Sequence, residues 1–271
     1  MNQLVIIIST FIFGTLIGSF LNVVIWRLPR GESLGGRSSC PHCKAKLKPA
    51  HLVPLLSYAV QRGCCAHCQA RISSRYPLIE AITGLLFAAA AAHILTGPAL
   101  AATYLELLRW LIIIAALIAV FVIDLEHYLI LDAVVFPVAG AILVLNIILD
   151  LLARQPLWFI SSHTAGGILA AALAGGFFYL LWFFSRGRWM GFGDVKLNLL
   201  LGLVLGLPGI VVGLFLAFML GAIVGVGLII AGAKKLQSRV PFGTFLSVGA
   251  LLALFYSHGL WEWYLGLIGW R

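Results

Sequence analysis

Long, nearly uninterrupted apolar stretches dominate the chain and predict helices that cross a membrane. A transmembrane helix needs about 20 predominantly apolar residues. Runs of about this length cover residues 4–26, 77–97, 104–123, 133–152, 164–185, 195–215, 217–233 and 246–268. Only the turn signal Leu207-Pro208-Gly209 marks the boundary between the sixth and seventh runs. The pattern predicts an all-α polytopic membrane protein with about eight transmembrane helices, seven being the alternative count.

A polar insertion, residues 27–76, interrupts the apolar pattern after the first run. It separates a first transmembrane helix, residues 1–26, from a membrane-embedded domain with about seven helices, residues 77–271. The first run has neither a basic segment before it nor a small-residue cleavage site, so we expect a retained helix rather than a signal peptide. An insertion of this length is too short to build a strong core by itself.

The composition fits this picture and excludes other classes of protein. Hydrophobic residues make up 62% of the 271 positions and charged residues 10%, with a mean hydropathy of +1.07. Soluble domains are roughly 45–50% apolar and about 25% charged, and disordered chains have low hydrophobicity. A single soluble domain and a disordered chain are therefore both excluded.

The net charge of +9 is distributed as a topology signal rather than as a nucleic-acid-binding surface. Nine of the 18 lysine and arginine residues lie between Arg27 and Arg75. If that segment is cytoplasmic, 15 of the 18 lie on the cytoplasmic side. The six that join it are Arg186, Arg188, Lys196, Lys234, Lys235 and Arg239. We expect an N-terminus outside, a cytoplasmic insertion and no nucleic-acid partner.

The insertion contains all five cysteines, four of them in two pairs with metal-ligand spacing. The pairs are Cys40-Pro41-His42-Cys43 and Cys65-Ala66-His67-Cys68. Two such pairs at this separation are typical of a tetrahedral zinc site, and a cytoplasmic location disfavours disulfides. We predict a structural Zn²⁺ held by Cys40, Cys43, Cys65 and Cys68, with Cys64 left out. His42 or His67 as ligands, and four reduced thiols without metal, are the alternatives.

Carboxylates are scarce, and four of the nine fall in two short segments expected at the cytoplasmic face. Asp124, Glu126 and Asp132 lie between the third and fourth runs, and Asp194 lies between the fifth and sixth. Ionisable groups at a membrane boundary usually have a function. Two adjacent carboxyl groups that share a proton can activate a water molecule and protonate a leaving amine.

Asp124 and Asp194 are the stronger candidates for such a pair. Asp124 directly follows an apolar run, and Asp194 ends the string Gly191-Phe192-Gly193-Asp194, whose glycines permit close approach of an extended peptide. For Glu126 and Asp132, a solvated loop face is favoured over a catalytic role. Lys196 as a charge partner of Asp194 is the structural alternative.

Taken together in order, several motifs resemble the type IV prepilin peptidases, the leader peptidase/N-methyltransferase family. They are Gly18-Ser19-Phe20-Leu21-Asn22, both cysteine pairs, Arg75-Tyr76-Pro77-Leu78-Ile79-Glu80, the acidic window 124–132, Gly191–Asp194 and Pro241-Phe242-Gly243. The resemblance implies a GxGD-type membrane aspartic protease of the bacterial inner membrane, with Asp124 and Asp194 as the catalytic pair facing the cytoplasm. Asp132 matches an acid that is not usually assigned as catalytic.

The resemblance also implies a substrate and a second activity. Such enzymes remove the short basic leader of prepilins or pseudopilins after a glycine, and many then methylate the new N-terminal residue with S-adenosylmethionine. This chain departs from the family at Leu131 and Thr244, where proline is usual, and at His51-Leu52-Val53-Pro54 in the insertion. A proton- or ion-coupled transporter that uses the same carboxylates, and a zinc-regulated membrane scaffold, are the alternatives. The sequence indicates no oligomeric state.

Overall fold

The computed structural model describes residues 3–96, 100–232 and 240–269, and the predicted all-α fold is confirmed across them. The α-helices are α1 (Gln3–Arg27), α2 (Leu56–Val60), α3 (Arg75–Ile94), α4 (Ala101–His127), α5 (Asp132–Leu152), α6 (His163–Ser185), α7 (Phe192–Ile230) and α8 (Phe242–Leu267). All except α2 are long and apolar enough to cross a membrane, which makes seven among the described residues. The basic residues Lys234, Lys235 and Arg239 lie outside the described residues.

The chain forms two compact units, Met1–Ala119 and Val120–Arg271. The domain boundaries predicted at residues 26 and 76 stay predictions. In the first unit, α1 and α3 run antiparallel with their backbones almost touching. A Cβ atom at Gly14 would lie 2.8 Å from Cα of Gly84, and one at Gly18 would lie 2.7 Å from Cα of Glu80. Small residues at this interface therefore permit the close helix packing that membrane bundles use.

The insertion is attached to α3 through a buried carboxylate. Oε2 of Glu80 accepts a hydrogen bond of 2.9 Å from the backbone N–H of Leu55. Leu55 precedes α2 and has a positive φ of 61°. A buried acceptor that is paired in this way avoids the cost of an unsatisfied polar group, and it fixes the middle of the insertion against the helix that follows it.

Helix α7 reverses direction part-way along its length, so it consists of two antiparallel helical segments. Along α6, Trp182 contacts Phe192, with ring centroids 4.9 Å apart, and a Cβ at Gly167 would lie 3.0 Å from the carbonyl oxygen of Leu203. Phe178 then stacks against Phe218 at 6.2 Å, which brings the chain back along the same helix.

The reversal occurs at two non-helical residues, Gly206 (φ 59°, ψ −166°) and Leu207 (φ −100°, ψ 139°). The conformation of Gly206 is essentially open to glycine alone, and Pro208 cannot donate to the preceding turn. The break thus coincides with the predicted turn signal Leu207-Pro208-Gly209, although the apolar runs themselves were divided later, near residue 216.

Polar side chains of α5 form hydrogen bonds to the backbone at the start of α6 and to α7 near its break. Asn146 donates to the carbonyl oxygens of His163, at 3.3 Å, and Leu203, at 3.0 Å. The carboxylate of Asp150 accepts from the backbone N–H groups of His163, at 2.9 Å, and Thr164, at 2.8 Å. These bonds satisfy the first donors of α6 and fix α5, α6 and α7 together.

Candidate active site and candidate metal centre

Asp124 lies buried near the end of α4, with its carboxylate at the start of α8. Oδ2 accepts hydrogen bonds from the backbone N–H of Thr244, at 2.8 Å, and from its hydroxyl, at 3.3 Å. A Cβ atom at Gly243 would lie 2.9 Å from the same oxygen, so only glycine leaves room there. The first N–H groups of a helix have no intrahelical partner and carry partial positive charge. The first turn of α8 therefore stabilises a negative charge on Asp124.

Asp194 lies buried in the first turn of α7, directly after the Gly191-Phe192-Gly193 string. Its backbone is held by Asn198, whose amide donates to the carbonyl oxygen of Asp194 at 2.9 Å. Ile130 links the two sites, because a Cβ atom at Gly193, next to Asp194, and a Cβ atom at Gly243, next to Oδ2 of Asp124, would each lie 2.9 Å from its side chain. The structure thus brings the two predicted residues together, between the N-terminal turns of two helices.

The other acids of the predicted segment are placed differently. Asp132 is 56% exposed and forms an ion pair with Lys196, whose Nζ lies 2.6 Å from Oδ1 and 2.9 Å from Oδ2. Lys196, weighed above as a partner of Asp194, thus pairs with Asp132. Oε2 of Glu126 lies 4.0 Å from Nε2 of His127 at a partly exposed position. Both acids therefore match the solvated loop face that the sequence favoured.

The four paired cysteines of the insertion form one cluster in the first unit. The Sγ atoms of Cys40, Cys43, Cys65 and Cys68 all lie within 4.8 Å of one another, and those of Cys40 and Cys68 are 3.9 Å apart. Zinc bound to four sulfurs at about 2.3 Å would hold them about 3.8 Å apart. The cluster therefore has the dimensions that a tetrahedral metal ion requires.

The two cysteine pairs lie in two separate backbone turns of the same form. The N–H of Cys40 donates to Ala45 and the N–H of Cys65 donates to Ala70, at 3.0 and 2.9 Å. Antiparallel bridges then join Ser39 to Lys46 and Cys64 to Arg71. Cys64 occupies in the second turn the place of Ser39 in the first, which explains why it stands outside the cluster.

The pKa values of two thiols in the cluster, Cys65 and Cys68, are shifted from the ordinary value in opposite directions. Hydrogen bonds from the backbone N–H groups of Cys68 and His67 lower the pKa of Cys65 to about 6. The N–H of Ala70 favours the Cys68 thiolate, but desolvation and the neighbouring sulfurs outweigh it and raise the pKa of Cys68 to about 11. Cys65 therefore ionises more readily than Cys68, and a bound cation would favour the thiolate form of both. The donor set can hold a metal ion, since thiolates are the ligand form.

Comparison with known proteins places the chain in a family. Residues 12–94 match the bacterial peptidase A24 N-terminal domain, and residues 111–226 match the type IV leader peptidase family. The prepilin leader peptidase/N-methyltransferase of Aeromonas hydrophila is 33% identical over 287 residues, covering 94% of this chain and 92% of that protein. The chain belongs to the type IV leader peptidase family.

Other members of the type IV leader peptidase family align over similar lengths. The prepilin leader peptidase/N-methyltransferase of Bacillus subtilis is 32% identical, with 94% of this chain and 96% of that protein covered. The protein of the same name from Pseudomonas aeruginosa is 30% identical, with 100% and 97% covered. No solved structure matches this chain. The membership, together with the seven apolar helices, fits a multi-pass inner-membrane protein.

Two residues beside Asp124 and Asp194 were not singled out as functional by the sequence. In the sequence, Thr244 stood out only because proline is usual at this position, and this difference was the one signal that could have identified it. Ile130 lies in the acidic window and contacts both glycine-containing motifs, but nothing distinguishes it in sequence from the apolar residues on either side.

Proposed function

We propose that this chain is a membrane aspartic endopeptidase that removes the leader peptide from prepilins or pseudopilins at the cytoplasmic face of the inner membrane. The observation that carries the proposal is the pairing of two buried carboxyl groups, Asp124 and Asp194, between the first turns of α8 and α7. The names of the relatives support the substrate class. Family membership favours this function over the transporter alternative.

The two carboxyl groups have distinct roles in the proposed hydrolysis. We assign Asp124 as the base, because Thr244 donates two hydrogen bonds to its carboxylate. Asp124 takes a proton from a water molecule as the water oxygen attacks the carbonyl carbon of the scissile peptide. Protonated Asp194 gives its proton to the leaving nitrogen as the carbon–nitrogen bond breaks. The products are a leader that ends in a carboxylate and a pilin with a free amine.

The second activity and the topology complete the proposal. The double name of the relatives supports N-methylation of the new amine, with S-adenosylmethionine supplying the methyl group. The cysteine cluster would hold a structural Zn²⁺ that stabilises the insertion. The distribution of basic residues supports an outside N-terminus and a cytoplasmic insertion.

One assay tests both activities. The protein is reconstituted in membranes with a prepilin, with and without S-adenosylmethionine, and the N-terminus of the product is analysed by mass spectrometry. We expect loss of the leader in both cases and the added mass of one methyl group only when the methyl donor is present. An uncut prepilin would contradict the proposed function. Cleavage without methylation in the presence of the donor would contradict the second activity alone.

A further inference from the structure

The side chain of Ile130 lies between the two glycine-containing motifs of the candidate active site. A Cβ atom added to Gly193 would lie 2.9 Å from Cβ of Ile130, and one added to Gly243 would lie 2.9 Å from its Cδ1. The same position on Gly243 is 2.9 Å from Oδ2 of Asp124. Ile130 therefore fills the space beside the carboxylate so tightly that neither glycine could carry even a methyl group.

The loop that carries Ile130 is held at both ends. Tyr128 directly follows α4 in a left-handed conformation, with φ of 56°, and its N–H donates to the carbonyl oxygen of Asp124 at 2.9 Å. Two residues after Ile130, Asp132 starts α5 and pairs with Lys196 of α7 at 2.6 Å. Ile130 is thus a fixed wall of the site.

Within the loop, Ile130 is less exposed than the two residues that precede it. Ile130 is partly buried, whereas Tyr128 and Leu129 are 51% and 48% exposed. An apolar side chain beside a buried carboxylate reduces the space open to any peptide that reaches that carboxylate. A substrate residue placed there would have to lack a side chain.

We propose that Ile130 limits the substrate residue on the N-terminal side of the scissile bond to the size of glycine. This inference rests on the proposed peptidase function and deepens it, because it names the residue that sets the size limit. A Cβ atom on that substrate residue would compete with Ile130 for the space between Gly193 and Gly243. Removing the Ile130 side chain would open that space without touching Asp124 or Asp194.

The test compares I130A with the matched control L129A, which shortens the exposed neighbour in the same loop. Cleavage is measured on a prepilin with glycine before the scissile bond and on versions with alanine there or with an enlarged residue after the bond. We expect I130A to raise the alanine-to-glycine ratio of kcat/KM by about tenfold or more, the value of one methyl group in a tight site. L129A should leave this ratio unchanged.

The ratio separates specificity from a general loss of structure, because misfolding lowers cleavage of both substrates together. If I130A cuts too slowly to measure, I130V must shift the ratio in the same direction by a smaller factor. An unchanged ratio in a variant that still cuts the glycine substrate overturns the inference, as does a gain confined to the residue after the bond. Failure of the unaltered protein to cut any prepilin is a different result, which overturns the proposed function itself.

Discussion

Thr244 donates two hydrogen bonds to Oδ2 of Asp124, one from its backbone N–H and one from its hydroxyl. The contact joins residues that are 120 positions apart in the chain. It places the carboxylate of Asp124 at the positive end of α8. Proline, the usual residue at this position, would supply neither donor.

Removal of the Thr244 hydroxyl should slow the chemical step. We expect T244V to lower kcat of prepilin cleavage by about three- to tenfold with little change in KM, since one hydrogen bond to the carboxylate contributes roughly 0.5–1.5 kcal/mol. T244S, which keeps both donors, should remain within about twofold of the unaltered protein. The measurement is steady-state cleavage in membranes.

The control for this prediction is S247A. The Ser247 hydroxyl lies one turn further along α8 and donates to the carbonyl oxygen of Gly243 at 2.8 Å, so its loss removes a buried hydroxyl without touching Asp124. Equal losses in T244V and S247A, or a change confined to KM, would show that the Thr244 hydroxyl does not act through the carboxylate.

Asp132 should be dispensable for cleavage, in contrast to its neighbour Asp124. Its carboxylate is 56% exposed and paired with Lys196, and such partly exposed ion pairs contribute only about 0–1 kcal/mol. We expect D132N and K196A to retain most of the cleavage rate and to lower the unfolding temperature by a few degrees at most. Cleavage assays and thermal unfolding in detergent measure the two effects. A D132N protein that is as inactive as D194N would contradict this assignment.

The cysteine cluster should bind about one zinc ion per chain. We expect C40S to lower the zinc content of the purified protein, because it removes one of four converging thiols. C64S is the matched control, since Cys64 stands outside the cluster at a backbone bridge, and it should leave the zinc content unchanged. Metal analysis measures both variants. An unaltered protein that is folded, active and free of metal would rule out the structural role of zinc.

Local patterns in the sequence were sufficient to predict the helices and the cysteine cluster. Apolar runs fixed the membrane-crossing segments, and two short cysteine pairs at the right separation predicted the four converging thiols. The break in α7 lies at the turn signal that predicted it, although the predicted runs were divided later, near residue 216. The break occurs at Gly206, whose backbone conformation is essentially open to glycine alone.

Contacts between distant segments could not be predicted in the same way. Asp124 and Asp194 were paired only through their expected side of the membrane and their resemblance to a family. The roles of Thr244 and Ile130 depend on where the first turn of α8 and the loop after α4 meet. No local sequence pattern around Ile130 or Thr244 predicts such a contact.

The central claim, that Asp124 and Asp194 form the catalytic pair, is tested most directly by prepilin cleavage in membranes with the isosteric variants D124N and D194N. Each variant should lose cleavage by at least about a thousandfold, since both proton-transfer roles are required, while membrane insertion and zinc content stay unchanged. Cleavage near the unaltered rate by either variant would contradict the account.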